Sequence, residues 1–126
     1  MAGDGRKTES GPTGSVRAAF APRTLAVVSL TNPREKFWGA IRGLSPAGVH
    51  LRGIDLSFFD DFIALLRAGA AATPSEVFFP MHRVERIEAD QRNTDIPSLS
   101  ERFVVATGQS ARTLFAAGQL RSVRHP

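Results

Sequence analysis

The strongest local constraint on this chain lies between residues 25 and 56, where three short apolar runs are separated by turn chemistry. Leu25 to Thr31 (LAVVSLT) is closed by Asn32-Pro33, and proline keeps its predecessor out of the helical region, so the run reads as a strand. Phe37 to Leu44 (FWGAIRGL) and Val49 to Leu56 (VHLRGIDL) flank Ser45-Pro46-Ala47-Gly48, which predicts a hairpin around a four-residue turn. In its second arm Val49, Leu51 and Gly53 alternate with His50, Arg52 and Ile54, the period of a strand with unlike faces. Gly39, Gly43 and Gly53 inside these runs predict bulges or sharp bends, as a small coiled sheet requires.

A different period follows. Phe59, Phe62, Ile63 and Leu66 recur at helical spacing behind Ser57-Phe58-Phe59-Asp60, which resembles a capping box and predicts a helix over residues 57–68. Glu76 to Pro80 and Val84 to Ala89 read as two further short strands joined by Met81-His82-Arg83. Ser98-Leu99-Ser100-Glu101 is a full capping box, Gly108 suits the left-handed residue that ends a helix, and a second helical turn or two from Ser110 carries Leu114 and Phe115. These apolar residues need a surface, so the tail is expected to dock on the sheet or on another subunit.

At 126 residues, one core is the natural expectation. Three segments follow: a disordered N-terminal arm over 1–22, a small β domain over 23–92, and a helical extension with a flexible end over 93–126. The net charge of +4 invites a nucleic-acid partner, yet residues 23–92 hold nine basic and eight acidic groups, so the excess sits mainly in the termini. The absence of cysteine removes disulfides and thiolate chemistry, and no apolar run approaches the length of a membrane span. A soluble, cytoplasmic protein without membrane attachment is expected.

The strand pattern of Leu25–Thr31, Phe37–Leu44, Val49–Leu56, Val77-Phe78-Phe79-Pro80 and Val84-Glu85-Arg86-Ile87, roughly half of the chain, resembles the SH3-like barrels and, within them, the Sm-like proteins. The resemblance implies an α+β, mainly β fold: a small barrel of about five strands with an inserted helix and a C-terminal helical segment. It also implies that Asp55 stands where that family has an acidic or amide residue, and that Met81-His82-Arg83 is similar to the Lys-His turn of bacterial Sm-like RNA chaperones. Phe79-Pro80 replaces the glycine-containing turn of the eukaryotic motif, and the Ser57–Leu66 helix replaces a loop. The stretch from Val77 to Asp90 also looks like small bacterial proteins to which no activity attaches.

No pattern of catalysis emerges. His50, His82 and His125 show no metal-ligand spacing, so no metal and no cofactor are expected. Asp60 reads as completing a cap and Asp61 as a charge favoured in the first helical turn, and no phosphate loop or nucleophile elbow is present. Adjacent aromatics in a strand point to opposite faces, so Phe37-Trp38 and Phe78-Phe79 each turn one ring inward and one outward. An outward ring covered by the helix or tail, a protein interface, or base stacking are the three uses open to it. The candidate binding surface is therefore Trp38, Arg42, His50, Arg52, His82 and Arg83. The function expected is a non-enzymatic binding or assembly module taking a protein partner or a second copy of itself; the alternative is an RNA- or DNA-binding regulator.

Overall fold

In the computed structural model, which describes residues 20–116, five antiparallel strands form one sheet in the order β4-β3-β2-β1-β5. The strands are β1 (Leu25–Leu30), β2 (Glu35–Ser45), β3 (Gly48–Asp55), β4 (Ser75–Pro80) and β5 (Val84–Ala89). Two helices, α1 (Phe59–Arg67) and α2 (Leu99–Thr107), and a helical segment at 111–116 accompany them. The fold is thus α+β. The parts of the expected terminal arms at 1–19 and 117–126 lie outside the described residues.

Strand alternation divides the apolar side chains into two clusters on opposite faces. Ala26, Val28, Leu30, Phe37, Ile41, Val49 and Leu51 form the inner one, joined by Val77 and Phe79 of β4 and Val84 and Ile87 of β5. Every strand contributes, and among the described residues no helix covers this cluster; Phe20, before β1, also packs on it. The outer cluster unites Leu25, Trp38, Ala40 and Ile54 of the sheet with Phe59 and Phe62 of α1, Phe103 of α2, and Ala111 and Phe115. The core therefore continues past residue 92, because the C-terminal helices supply the cover for the sheet's outer face.

The link between the two edge strands limits how flat this sheet is. β4 and β5 are opposite edges, which four strand spacings of about 4.8 Å would hold roughly 19 Å apart in a flat sheet. Only the 3-10 turn Met81–Arg83 joins them, and the four steps from Pro80 to Val84 reach about 14 Å at full extension. The edges must approach at that end. The Met81 amide donates to the Ala47 carbonyl at 2.9 Å, and the Thr31 amide donates to the Arg83 carbonyl at 2.9 Å, tying the turn to both sides. Curvature is also helped where Gly39 and Gly53 face each other across β2 and β3. A Cβ on Gly39 would lie 2.6 Å from the Arg52 carbonyl oxygen, and one on Gly53 would collide with the Trp38 carbonyl.

Local chemistry explains the ends of the elements. The β2–β3 ladder runs to the pair Ser45 and Gly48, leaving a tighter Pro46-Ala47 connection than the four-residue turn predicted from sequence. The helix after β3 also differs from expectation. Ser57 does not cap it: the Asp55 carboxylate accepts from the Ser57 amide at 2.8 Å and its hydroxyl at 2.7 Å, starting a 3-10 turn, Leu56–Phe58, before α1. Asp60 completes no cap; with Asp61 it lies in the first turn of α1, where negative charge suits the helix dipole. The capping box at Ser98 and Glu101 forms on both sides, and Gly108 closes α2 with φ of 75°.

Candidate functional site

Trp38 leaves the predicted binding surface. Its ring does point outward from the sheet, but it is fully buried under the helices, with Phe59, Phe103 and Phe115 at centroid distances of 5.4, 5.6 and 5.0 Å. The indole N–H donates to Asp90 Oδ2 at 3.0 Å. Asp90 also accepts from the amides of Leu99 and Ser100 at 2.8 and 2.9 Å, so one carboxylate joins the sheet to the start of α2. Of the three uses open to an outward ring, Trp38 takes the first.

His82 and Arg83 also separate from the rest. His82 is exposed in the 3-10 turn, whereas Arg83 serves the fold. Its Nε donates to the Thr31 carbonyl at 2.9 Å, and Nη2 donates to the Pro33 carbonyl at 2.8 Å and to Glu35 Oε2 at 2.9 Å. The guanidinium also lies 5.8 Å from the Phe79 ring centre. A fork of this shape clamps the β1–β2 connection against the β4–β5 turn.

Arg42, His50 and Arg52 do come together, around a residue the sequence reading passed over. Cross-strand pairing sets Arg52 opposite Glu76 and His50 opposite Phe78, so all four share the outer face of β3 and β4. The β2–β3 register skips Arg42 between Ile41 and Gly43, and this bulge accompanies a guanidinium turned toward the same carboxylate. Arg52 Nη1 and His50 Nε2 lie 3.2 and 2.6 Å from the Glu76 oxygens, and Arg42 Nε lies 3.9 Å away. Burial alone would raise the Glu76 carboxyl, but the Arg52 and His50 hydrogen bonds and the Arg42 charge outweigh it and hold it below its ordinary value. Arg52 Nε is buried without a hydrogen-bond partner. Beside this cluster the Phe78 ring is 54% exposed.

Two further acidic side chains, Asp55 and Glu101, have structural employment. Asp55 is used on Ser57, and Arg92 and Glu101 pair at 3.3 Å near the α2 start. Among the described residues no group of three or more His, Asp or Glu gathers as a metal site, and no described helix is long and apolar enough to cross a membrane. A groove between the end of β5, residues 91–97 and α2 is lined by Val27, Ile96, Leu99, Arg92 and Arg102. The α2 amides beside it are already occupied by Asp90 and Ser98.

No protein-family model matches the chain. Searches of curated proteins and of solved structures likewise give no match.

Sequence reasoning missed Glu76 and left Phe78 off the candidate surface, although it turned one ring of the Phe78-Phe79 pair outward. Glu76 was visible only as one end of a short strand; what gives it meaning is its register against β3, a pairing between residues far apart in the chain. The alternation of Phe78 against Phe79 was the usable signal, since it required one of the two rings to face away from the inner cluster.

Proposed function

We propose that this chain is a non-enzymatic assembly module: a small SH3-like or Sm-like barrel that associates with copies of itself through its strand edges. The observation that carries the reading is the pair of six-residue edge strands, β4 and β5, each hydrogen-bonded on one side only in the described sheet. Unpaired edges present rows of amide and carbonyl groups that a further strand satisfies. Because the two edges are different surfaces, pairing β4 of one copy with β5 of the next is head-to-tail, and such contacts close into a ring when the rotation permits. The tight curl of the sheet supports the barrel reading, since the short Met81–Arg83 turn leaves little room for a flat alternative.

Light scattering on the full chain tests the proposal. The expected result is a defined oligomer of the 13.6 kDa chain that persists on dilution into the micromolar range. Glu85 is the variant of choice: the β1 ladder pairs Leu30 with Val84 and Ser29 with Arg86, so Glu85 is passed over. Glu85→Pro should preserve the fold while breaking the outer edge and shifting the mass to the monomer. A wild-type protein that stays monomeric at every concentration would sink the reading.

A further inference from the structure

The groove bounded by the end of β5, residues 91–97 and α2 has a volume of about 830 Å³ and an apolar lining that includes Val27, Ala89, Ile96 and Leu99. Ile96 stands 66% exposed in it. Its place is fixed: the Ile96 amide donates to the Asn93 carbonyl at 2.8 Å, and the Asn93 amide donates to the Ile96 carbonyl at 2.9 Å. This bridge turns on Thr94, a β-branched residue held at φ of 55°, where such side chains are rarely found. Backbone of that kind is kept at binding segments more often than elsewhere. The charged groups on the walls are already engaged. Glu88 pairs with Arg86, Asp90 holds Trp38 and the start of α2, Arg92 pairs with Glu101, and Arg102 lies over the Phe59 ring at 5.0 Å. Small-ligand sites present a few convergent polar groups, so this groove suits an apolar stretch of chain better.

We propose that the occupant of this groove is the chain's own N-terminal segment, with Val16 seated on Ile96 and Leu99. Phe20, the first residue that the structure describes, is itself part of the groove wall, so the nineteen residues before it depart from there. The turn that follows Phe20 sets the direction. The Thr24 amide donates to the Ala21 carbonyl at 3.1 Å, the Arg23 amide donates to the Ile41 carbonyl at 2.7 Å, and Arg23 takes φ of 77°. Pinned in this way on β2, the turn reverses the chain and holds Phe20 against the sheet. Backbone that continues extended through residues 16–20 turns Val16, Ala18 and Phe20 to one side. Val16 then lies at most about 14 Å from Phe20. Gly11, Pro12 and Gly14 upstream offer little to bury, which makes Val16 the anchor. Tethering decides between this occupant and a second copy. A segment joined through a few residues meets the groove at an effective concentration in the mM range, about a thousandfold above that of a protein at μM concentration. Closing so short a link also loses little entropy. Residues 16–19 then belong to the fold rather than to the disordered arm expected from composition, and this holds whether or not the chain self-associates.

Because the chain has no cysteine, a single introduced thiol reports the cover. Ile96→Cys and, as an open reference on α2, Val105→Cys are labelled with dithionitrobenzoate in the full chain. Each rate is divided by that of the same variant in denaturing urea, which removes differences in intrinsic reactivity. Ile96 is 66% and Val105 86% exposed, so without a cover the two normalised rates should nearly coincide. With the segment in place, the Ile96→Cys thiol should react about tenfold more slowly, the protection of a contact closed roughly nine-tenths of the time. Adding Val16→Asp should restore the open rate, because a carboxylate does not enter an apolar groove without a partner, and should leave the Val105→Cys rate as it was. Equal rates for the two thiols in the parent chain, or protection that Val16→Asp leaves intact, would overturn the proposal. Protection that fades on dilution through the micromolar range would overturn it too, by identifying a second copy as the occupant. Circular dichroism confirms that each variant is folded.

Discussion

Phe115→Ala removes a ring that is fully buried although it lies in the C-terminal helical segment, beyond the strand-rich part of the chain. That ring packs against Trp38, Phe62 and Phe103 at centroid distances of 5.0, 6.3 and 6.5 Å, with an edge-on approach to the indole. Truncating a buried phenylalanine to alanine costs about 3–5 kcal/mol, from lost transfer energy and the cavity left behind. Domains of this size have about 5–15 kcal/mol in all, so the variant should retain a native state with a much reduced margin. At roughly 4–8 °C per kcal/mol, the melting temperature should fall by on the order of 15 °C or more. The assay is urea unfolding followed by the emission of Trp38, the one tryptophan of the chain, which sits against the deleted ring. Val105→Ala serves as the control, because Val105 is 86% exposed on α2 and should change stability by less than about 0.5 kcal/mol. A Phe115→Ala loss no larger than that of the control, with unchanged Trp38 emission, would refute the docking of the tail on the sheet.

Three further outcomes follow from the same geometry. Asp90→Ala deprives the buried Trp38 N–H and the Leu99 and Ser100 amides of their acceptor. It should cost about 2–4 kcal/mol by chemical denaturation, with faster amide exchange in the first turn of α2. Gly53→Ala drives a methyl group into the Trp38 carbonyl and the Gly39 backbone, neither of which can move as a side chain would, so a loss of about 2 kcal/mol or more in the urea midpoint is expected. For Asp55, burial would raise the pKa, but the Ser57 hydroxyl and amide bonds prevail and hold it below 3.8. A carboxylate depressed in the folded state contributes fully above its unfolded pKa and loses that contribution as the pH falls through the folded value. Stability should therefore decline below about pH 5, with Glu76 and Glu101 acting in the same direction, and Asp55→Asn should flatten the decline. Parallel pH profiles for wild type and Asp55→Asn would show that the Ser57 bonds do not set the shift.

The parts of this structure legible in the sequence are those governed by neighbours in the chain. The five strands, the α2 capping box with Gly108, and the opposed rings of Phe37 and Trp38 all follow from turn chemistry and alternation. At Ser57 two local rules competed, and the Asp55 side chain reached the Ser57 amide first, which displaced the predicted helix cap. Of the candidate surface, Arg42, His50 and Arg52 were legible as polar positions on strands, yet their convergence depends on Glu76 arriving from β4. Trp38 was lost to the core for the same reason: its orientation is local, whereas Phe103 and Phe115 come from the far end of the chain.

The short turn between β4 and β5 bears on how the chain reaches its native state. Pairing β1 with β5 joins Ala26 to Ala89, a contact of long sequence separation whose loop-closure entropy would ordinarily slow folding. The β2–β3 hairpin is local and offers β3 as a template for β4. Once β4 is in place, the Met81–Arg83 turn holds β5 within reach of β1, so the long closure is incurred once and both outer strands add as one kinetic unit.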